Sequence, residues 1–295
     1  MDKTFLIKLV RVSDNAVFKI GDGSAWKLLS KGLDGFGEIN NTISYEDNAI
    51  TDGGHFTAEH VTKVDRTIKF TNTDWRNNNA MRTALLQFFH VKDEYKLYFT
   101  HGDTERWAQG KIYKFNVGTT ANVYDRLDVT LTLLFESPYW NSVDDFGHNI
   151  AGLTPMLAFP YLCSKTPGTA KGYTGGVFNF SQSVSIVNDG DAETFCHATL
   201  SSEGGDVENP KLLINDEYIR VIDTLADGEE IDIDFTAFPP TVKKNGVNYI
   251  GHCDRTSAFN NMAITRGVNK IAYDADNGSS HMNVTINYLK KYEVV

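Results

Sequence analysis

The stretch DVTLTLLF (Asp128–Phe135) decides the fold of the first half of the chain. Its residues alternate in polarity, and successive side chains of a β-strand point to opposite faces of a sheet. The stretch therefore predicts a strand with one apolar face and one mixed face. The apolar face holds Val129, Leu131 and Leu133, and the mixed face holds Thr130, Thr132 and Leu134.

Further strands are predicted on the N-terminal side of this stretch. Phe5–Val10 and Val17–Ile20 are strand-like runs separated by turn-forming residues, which indicates an opening hairpin. In Val64–Phe70, Lys and Arg side chains are expected to point outward and apolar side chains inward. The two other predicted strands are Tyr95–Thr100 and Gly110–Val117.

One helix interrupts these strands. Met81, Leu85 and Phe88 recur at helical spacing, and two alanines between them favour a helix. Asp74 is expected at its N-terminus, where a carboxylate interacts favourably with the helix dipole and free N–H groups. The helix is predicted to pack across the small sheet.

The sequence SPYW (Ser137–Trp140) ends this run of strands and is the predicted domain boundary. It gives a first domain at residues 1–140 and a second at residues 141–295. Residues 141–176 are rich in Gly, Pro, Thr and Asn, and they predict a connection with one docked apolar stretch at Leu153–Leu162. Pro155 and Pro160 are expected to exclude a helix and a central strand there.

Residues from Val177 onward predict only short strands and turns. Asn245-Gly246 indicates a hairpin, since this pair suits a type I′ turn. Eight strands without helical periodicity predict an antiparallel sandwich, so the whole chain is expected to be mainly β. The strands are Ser183–Val187, Thr194–Leu200, Leu212–Ile214, Tyr218–Ile222, Glu230–Phe235, Val247–Ile250, Lys270–Tyr273 and Asn283–Tyr288.

Charge disfavours nucleic acid and membranes as partners. The net charge is −10, with 17 Lys and Arg against 18 Asp and Glu in residues 1–140, and 11 against 20 in residues 141–295. An acidic surface does not hold a phosphate backbone and is repelled by anionic lipid. The three cysteines, Cys163, Cys196 and Cys253, are far apart and odd in number, which fits folding in a reducing cytosol.

No common catalytic motif is present, and the sequence predicts no enzyme activity, no cofactor and no bound metal. Cys196-His197 and His252-Cys253 are the residue types that zinc prefers. Adjacent strand residues point to opposite faces, however, so a pair does not direct both side chains at one ion. Buried cysteines are the favoured interpretation.

Two acidic clusters are candidate sites. A glycosidase uses a pair of carboxylates, and the first cluster could supply one from Glu229, Glu230, Asp232 and Asp234. Glu230, Asp232 and Asp234, however, alternate with apolar residues. A solvated strand face is the favoured interpretation. The second cluster lacks a full set of calcium ligands and is predicted to form a turn. It consists of Asp189, Asp191 and Glu193.

The four tryptophans, which could stack on sugar rings, all lie in the first half of the chain. None sits in a run of polar residues that marks a pocket, so core or interface packing is predicted for each. They are Trp26, Trp75, Trp107 and Trp140.

Several segments together resemble the distal tail (Dit) proteins of long-tailed phages, in order and along nearly the whole chain. In the first half these are the opening hairpin, Gly35–Gly37, Asp52–Gly54, Arg66–Phe70, Met81–Phe89, Arg106 with Gly110, and Val129–Leu133 before Ser137–Trp140. In the second half they are Val187–Thr194, Lys244–Gly246, Ser257–Phe259 and Gly267–Ile271.

The resemblance implies an N-terminal belt domain, a C-terminal galectin-like β-sandwich, and assembly as a homohexameric ring. Such a ring joins the major tail tube protein to the tail-associated lysin or tip protein. The tape measure and receptor-binding proteins are further implied partners. The implied location is the virion tail tip, after assembly in the host cytoplasm.

Two alternatives to this structural hub stay open at this stage. The second domain could be a carbohydrate-binding module for host wall glycans, although the galectin pattern His-x-Asn-x-Arg and any tryptophan are absent from it. A hydrolase that uses Glu230 or Asp232 ranks last.

Overall fold

The computed structural model describes residues 6–48, 50–118, 126–155, 176–179 and 183–295. The chain divides into two units of antiparallel β-structure. The first consists of Met1–Val143 with Lys291–Val295, and the second of Asp144–Lys290. The predicted fold class, mainly β with one α-helix, is confirmed in the described residues.

The first unit is built on one large sheet, in the order β2-β1-β7-β8-β9-β6-β3, with β10 paired to β8. Its elements are β1 (Leu6–Arg11), β2 (Val17–Gly21), β3 (Trp26–Asp34), β4 (Asn41–Asp47), β5 (Gly54–Val61), β6 (Val64–Asn72), α1 (Asn78–Phe88), β7 (Glu94–His101), β8 (Thr104–Val117), β9 (Asp128–Phe135) and β10 (Trp140–Ser142).

The alternation of β9 is confirmed, because Val129, Leu131 and Leu133 are buried in one hydrophobic core. In β6 the prediction for one residue was wrong. Lys69 is exposed, but Arg66 is fully buried beside Ile68, since it shares the inward-facing parity of the apolar residues.

The helix starts later than expected. Asp74 accepts a hydrogen bond from the Arg76 N–H (3.2 Å) and caps a short 3-10 turn, Trp75–Asn77, from which α1 continues. At the other end, Arg11 Nη1 donates to the carbonyl oxygens of Gln87 (3.1 Å) and Phe88 (2.8 Å). The positive guanidinium therefore satisfies the carbonyl groups that the helix leaves free at its C-terminus.

Strands β4 and β5 form a separate two-stranded sheet, which we call the arm (residues 41–61). Its described side chains do not belong to the hydrophobic core of the first unit, and those of β4 are all exposed. An isolated two-stranded hairpin is at best marginally stable in water. The arm therefore needs a surface outside its own sheet to be well ordered.

The second unit is a sandwich of two sheets around one core, and all eight predicted strands are present. One sheet has the order β12-β11-β24-β14-β19-β20-β21, with β22 beside β14, and the other β13-β23-β16-β17. Two short strands, β15 and β18, pair with each other. The strands are β11 (Phe146–Pro155), β12 (Gly176–Asn179), β13 (Ser183–Asn188), β14 (Thr194–Ser202), β15 (Val207–Glu208), β16 (Lys211–Ile214), β17 (Glu217–Arg220), β18 (Thr224–Leu225), β19 (Glu230–Asp234), β20 (Thr241–Lys244), β21 (Val247–Asn248), β22 (Ala263–Ile264), β23 (Gly267–Asp274) and β24 (Met282–Tyr288).

The Asn-Gly hairpin is confirmed between β20 and β21. Asn245 (φ 49°) and Gly246 (φ 80°) both adopt the left-handed conformation that a type I′ turn requires, and Lys244 pairs with Val247.

The interpretation of residues 141–176 as a connection without a central strand was wrong for its first part. Strand β11 lies between β12 and β24 and pairs with both. Pro155 is the last residue of the strand, paired with Gly176, so its missing N–H does not interrupt the rest. Pro160 and most of Leu153–Leu162 lie outside the described residues.

The end of the chain returns to the first unit, although the sequence assigned it to the second domain. Strand β25 (Lys291–Tyr292) pairs with β10, where Tyr292 lies opposite Trp140. The guanidinium of Arg106 lies 3.8 Å from the Tyr292 ring centroid and donates to the Val294 carbonyl oxygen. Within the described residues, no helix has the length and apolar character to span a membrane.

Candidate interaction surface

The arm carries an apolar face that is open to solvent. Tyr45 pairs across the hairpin with Phe56, and their ring centroids are 5.9 Å apart. Ile43 lies two residues before Tyr45 and pairs with Glu59. Partners in a cross-strand pair share a face, and alternation along β4 puts Ile43 and Tyr45 on the same face. All four side chains therefore lie on one face of the hairpin, although a register shift separates the two pairs. Phe56 is 75% exposed, Tyr45 52% and Ile43 51%.

The absence of a side chain at Gly54 allows the Tyr45 ring and the Glu46 carbonyl group to approach the backbone of β5. A Cβ atom there would lie 2.6 Å from Tyr45 Cζ and 2.2 Å from the Glu46 carbonyl oxygen. Large apolar side chains this exposed and this close together mark an interaction site more often than a solvated surface.

The arm is also acidic. Residues 41–61 contain four acidic residues and no Lys or Arg, which gives a formal charge of −4. Asp47 lies on the same face as the aromatic pair by alternation along β4, and Glu59 does so through its pairing with Ile43. The acidic residues are Glu46, Asp47, Asp52 and Glu59. The arm is therefore complementary to a partner surface that carries both basic and apolar side chains.

The outer face of the large sheet in the first unit has the opposite character. Lys8 pairs with Tyr98, and Tyr98 with Trp107, along three neighbouring strands. The Lys8 ammonium lies 4.1 Å from the Tyr98 ring centroid, and that of Lys96 lies 5.0 Å from the Trp107 ring centroid. Lys19 extends the row, because it pairs with Lys8 on β2. These contacts hold cations over aromatic rings at the surface.

A cavity of about 340 Å³ opens on this face. It lies where β8 stops pairing with β10, at Trp107, and starts pairing with β9, at Gly110. Gly110 is required there, because a Cβ atom would lie 2.5 Å from the Leu134 carbonyl oxygen. The apolar lining comes from Trp107, Ala108, Leu134, Phe135 and Tyr139.

Charged side chains surround the cavity. Lys111 Nζ lies 2.9 Å from Glu94 Oε1, and this hydrogen bond holds the pKa of Glu94 below its usual value and raises that of Lys111. Lys63 and Glu136 also line the opening. We call this surface the basic face; its charged residues are Lys8, Lys19, Lys63, Lys96, Lys111, Glu94, Glu105 and Glu136, five cations against three anions.

The four residues considered for zinc do not form one cluster. Cys196 is fully buried, and burial raises its pKa to about 12, whereas His197 points outward with Nε2 2.7 Å from Asp232 Oδ1. His252 stacks on Tyr249, with centroids 3.8 Å apart. Burial raises the pKa of Cys253 to about 11. Among the described residues, no three His, Cys, Asp or Glu side chains lie together as a metal would require.

The carboxylates of β19 lie on the outer face of their sheet, opposite the buried Ile231 and Ile233. Asp234 accepts hydrogen bonds from Thr236, through its N–H (2.8 Å) and its hydroxyl (2.6 Å). Glu229 Oε2 lies 2.9 Å from Lys244 Nζ. These groups are engaged in strand and turn contacts.

The acidic turn is organised by Asn188. Its Nδ2 donates to the Ala192 carbonyl oxygen (3.1 Å), and its Oδ1 accepts from the Gly190 N–H (3.0 Å). Asp189 pairs with Lys290 Nζ at 2.5 Å, and this hydrogen bond lowers the pKa of Asp189. This is the side-chain-supported turn that the sequence predicted.

Trp107 is the residue that sequence reasoning missed. Trp26 and Trp140 are buried in the core, but Trp107 lines the cavity, and its indole N–H donates to the Ser142 carbonyl oxygen (2.8 Å). The side chain of Trp75 lies outside the described residues. The cavity partners of Trp107 come from β9 and the segment after it, so no local run of polar residues could have revealed the cavity.

These features define a class: an antiparallel β scaffold that presents an acidic, aromatic arm and a basic face. Residues 189–292 match the family model of the siphovirus-type tail component, C-terminal domain. No curated protein matches the chain in sequence.

The whole fold is similar to that of the SPP1 Dit protein, described as a paradigm of the hub adsorption apparatus in phages that infect Gram-positive bacteria. The TM-score is 0.63 at 13% identity, over 97% of this chain and 98% of that chain. The fold is also similar to a chain of the phage P2 baseplate in its activated conformation, solved with Ca and with Sr. For each, the TM-score is 0.55 at 11% identity, over 99% of this chain and 100% of that chain.

The predicted resemblance to the siphophage distal tail proteins is thereby confirmed, and the findings support a structural role in a phage tail.

Proposed function

We propose that the protein is a non-enzymatic structural component of the tail tip of a long-tailed phage, prophage or tailocin. Six copies form a closed ring, which joins the major tail tube protein to the tail-associated lysin and receptor-binding apparatus. The observation that carries this proposal is the arm, a solvent-exposed hairpin with Ile43, Tyr45 and Phe56 on one face.

The arm favours ring formation over a monomeric function. A strand rises about 3.4 Å per residue, so seven or eight residues extend the arm by about 25 Å. A patch that reaches outward and meets a different patch on the next copy is a heterologous contact, and such contacts close into rings when the rotation allows it. Obligate interfaces of this type bury on the order of 2,000 Å² or more.

The groups considered for catalysis support a structural interpretation. Asp232 pairs with His197, and Glu229 with Lys244, so each carboxylate is held by a neighbour on its own sheet. The net charge of −10 disfavours binding to nucleic acid or anionic membranes. The proposal includes a location at the virion tail tip, assembly in the host cytoplasm and tail proteins as partners.

Negative-stain electron microscopy of the purified protein tests the proposal. We expect class averages with six-fold rings, and immunogold labelling of phage particles at the tail tip. Featureless single subunits together with specific binding of the full chain on a glycan array would instead favour a carbohydrate-binding module.

A further inference from the structure

We infer that the arm of one copy binds the cavity and the basic face of the next copy, with Phe56 inserted into the cavity. This inference rests on the proposed ring. The occupant is a second copy of this chain, because the arm and the basic face complement each other in both charge and apolar character.

Charge is the first argument. The arm carries four acidic residues and no Lys or Arg, whereas the basic face carries five lysines against three glutamates, a net of +2. Opposite potentials on two patches of one chain favour contact between copies and suppress other alignments. Glu59 lies on the aromatic face of the arm, where it can meet Lys63 or Lys111 at the opening of the cavity.

Shape is the second argument. Phe56 is the most exposed of the three apolar side chains on the aromatic face of the arm, and it needs a partly apolar receptor. The cavity holds about 340 Å³, and its partly exposed apolar lining comes from Trp107, Leu134 and Tyr139, with the fully buried Phe135 behind them. Aromatic anchors that fill preformed pockets dominate the energetics of many interfaces.

The position of the arm in the chain favours docking on a neighbouring copy over docking on its own cavity. Lys63 lines the cavity and is separated from the end of β5, Val61, by one residue. The base of the arm is therefore beside its own cavity, while Phe56, five residues before Val61, lies about 17 Å from that base by strand geometry. An arm that points outward reaches a neighbouring copy, which makes the contact heterologous.

Site-specific photocrosslinking tests the inference. Phe56 is replaced by p-benzoylphenylalanine in the full chain, light and ¹⁵N-labelled copies are mixed and irradiated, and crosslinked peptides are identified by mass spectrometry. We expect mixed-label crosslinks to residues 107–111 or 134–141. The same probe at Phe238, which is 98% exposed in the second unit, is the matched control and should not label these segments.

Charge reversal gives an independent test. Glu59→Lys should raise the dissociation constant of the ring at least tenfold, and the double variant Glu59→Lys with Lys63→Glu should recover most of the loss. Lys243→Glu, an exposed lysine of the second unit, should leave assembly unchanged. Crosslinks to another surface within an intact hexamer would show that the inferred docking site is wrong, while the proposed ring would still hold. A monomer at every concentration would overturn both.

Discussion

The guanidinium of Arg66 lies 4.0 Å from the ring centroid of Trp140 and 4.5 Å from that of Phe135, inside the core of the first unit. Its Nη2 donates to the Pro138 carbonyl oxygen (2.8 Å), but Nε and Nη1 meet no acceptor in the described part of the chain. Burial lowers the pKa of Arg66 to about 10. Among the residues that the structure describes, no carboxylate pairs with this buried cation, which is held by the aromatic rings.

Replacing this cation by an apolar side chain of similar length should cost little. Arg66→Met removes an unpaired buried charge and two unsatisfied donors, so we expect the free energy of unfolding to stay within about 1 kcal/mol or rise. Arg66→Ala leaves a cavity and should lose about 2–4 kcal/mol. Urea denaturation measures both. An equal loss for the two variants would mean that the charge itself stabilises the core.

Acid should weaken the second unit through Asp223. Its carboxylate accepts hydrogen bonds from Lys244 Nζ (2.8 Å) and the Tyr249 hydroxyl (2.6 Å), which lower its pKa from 3.8 to about 2. A lowered folded-state pKa gives stability that is present above about pH 4 and is lost as the pH falls towards 2.

Asp223→Asn is therefore expected to lower the free energy of unfolding at pH 7 by about 1 kcal/mol, since the pair is partly exposed. It should also flatten the dependence of stability on pH between 4 and 2. Thermal unfolding followed by circular dichroism across this range measures the change. A variant with an unaltered acid limb would show that other carboxylates dominate.

The approach of β8 to β9 depends on Gly110. A Cβ atom there meets the Leu134 carbonyl oxygen at 2.5 Å and Phe135 Cδ1 at 3.0 Å, so Gly110→Ala should lose about 1–3 kcal/mol. At Gly37 an added Cβ meets nothing within 4 Å, and Gly37→Ala is the matched control, expected to be neutral. Differential scanning calorimetry compares the two. Equal melting temperatures would contradict the close approach of β8 to β9 at Gly110.

Assembly should depend on the arm while folding should not. The double variant Tyr45→Ser and Phe56→Ser removes two exposed rings, so we expect the ring to dissociate at concentrations where the unmodified chain is fully assembled. The far-UV circular dichroism spectrum should be unchanged. Sedimentation velocity measures the dissociation, and Phe238→Ser serves as control. An intact ring in the double variant would remove the arm from the interface.

Local patterns predicted most strands and the helix, because burial of one strand or helix face leaves a regular period in the sequence. Val129, Leu131 and Leu133 follow that rule. The burial of Arg66 could not be predicted from this period, since it depends on Phe135 and Trp140, which are remote in sequence. Strand β11 was missed because Pro155 was given more weight than its position at the strand end warrants.

The arm and the cavity could not be predicted from local sequence. No strand was predicted at residues 41–61. The exposure of Ile43, Tyr45 and Phe56 follows from the separate two-stranded sheet that these residues form, which local sequence does not show. The cavity arises from the change of β8 from one neighbour to another near Gly110, which is a property of topology. Strand β25 likewise pairs with a strand about 150 residues earlier.

The mass of the purified chain in solution, measured by light scattering after gel filtration, tests the central claim most directly. Six copies of a 32.9 kDa chain give six times that mass, or about 197 kDa. We expect a single peak near this value for the unmodified protein at micromolar concentration. A peak at the mass of one copy over the whole accessible concentration range would contradict the ring and, with it, the proposed role as a tail-tip hub.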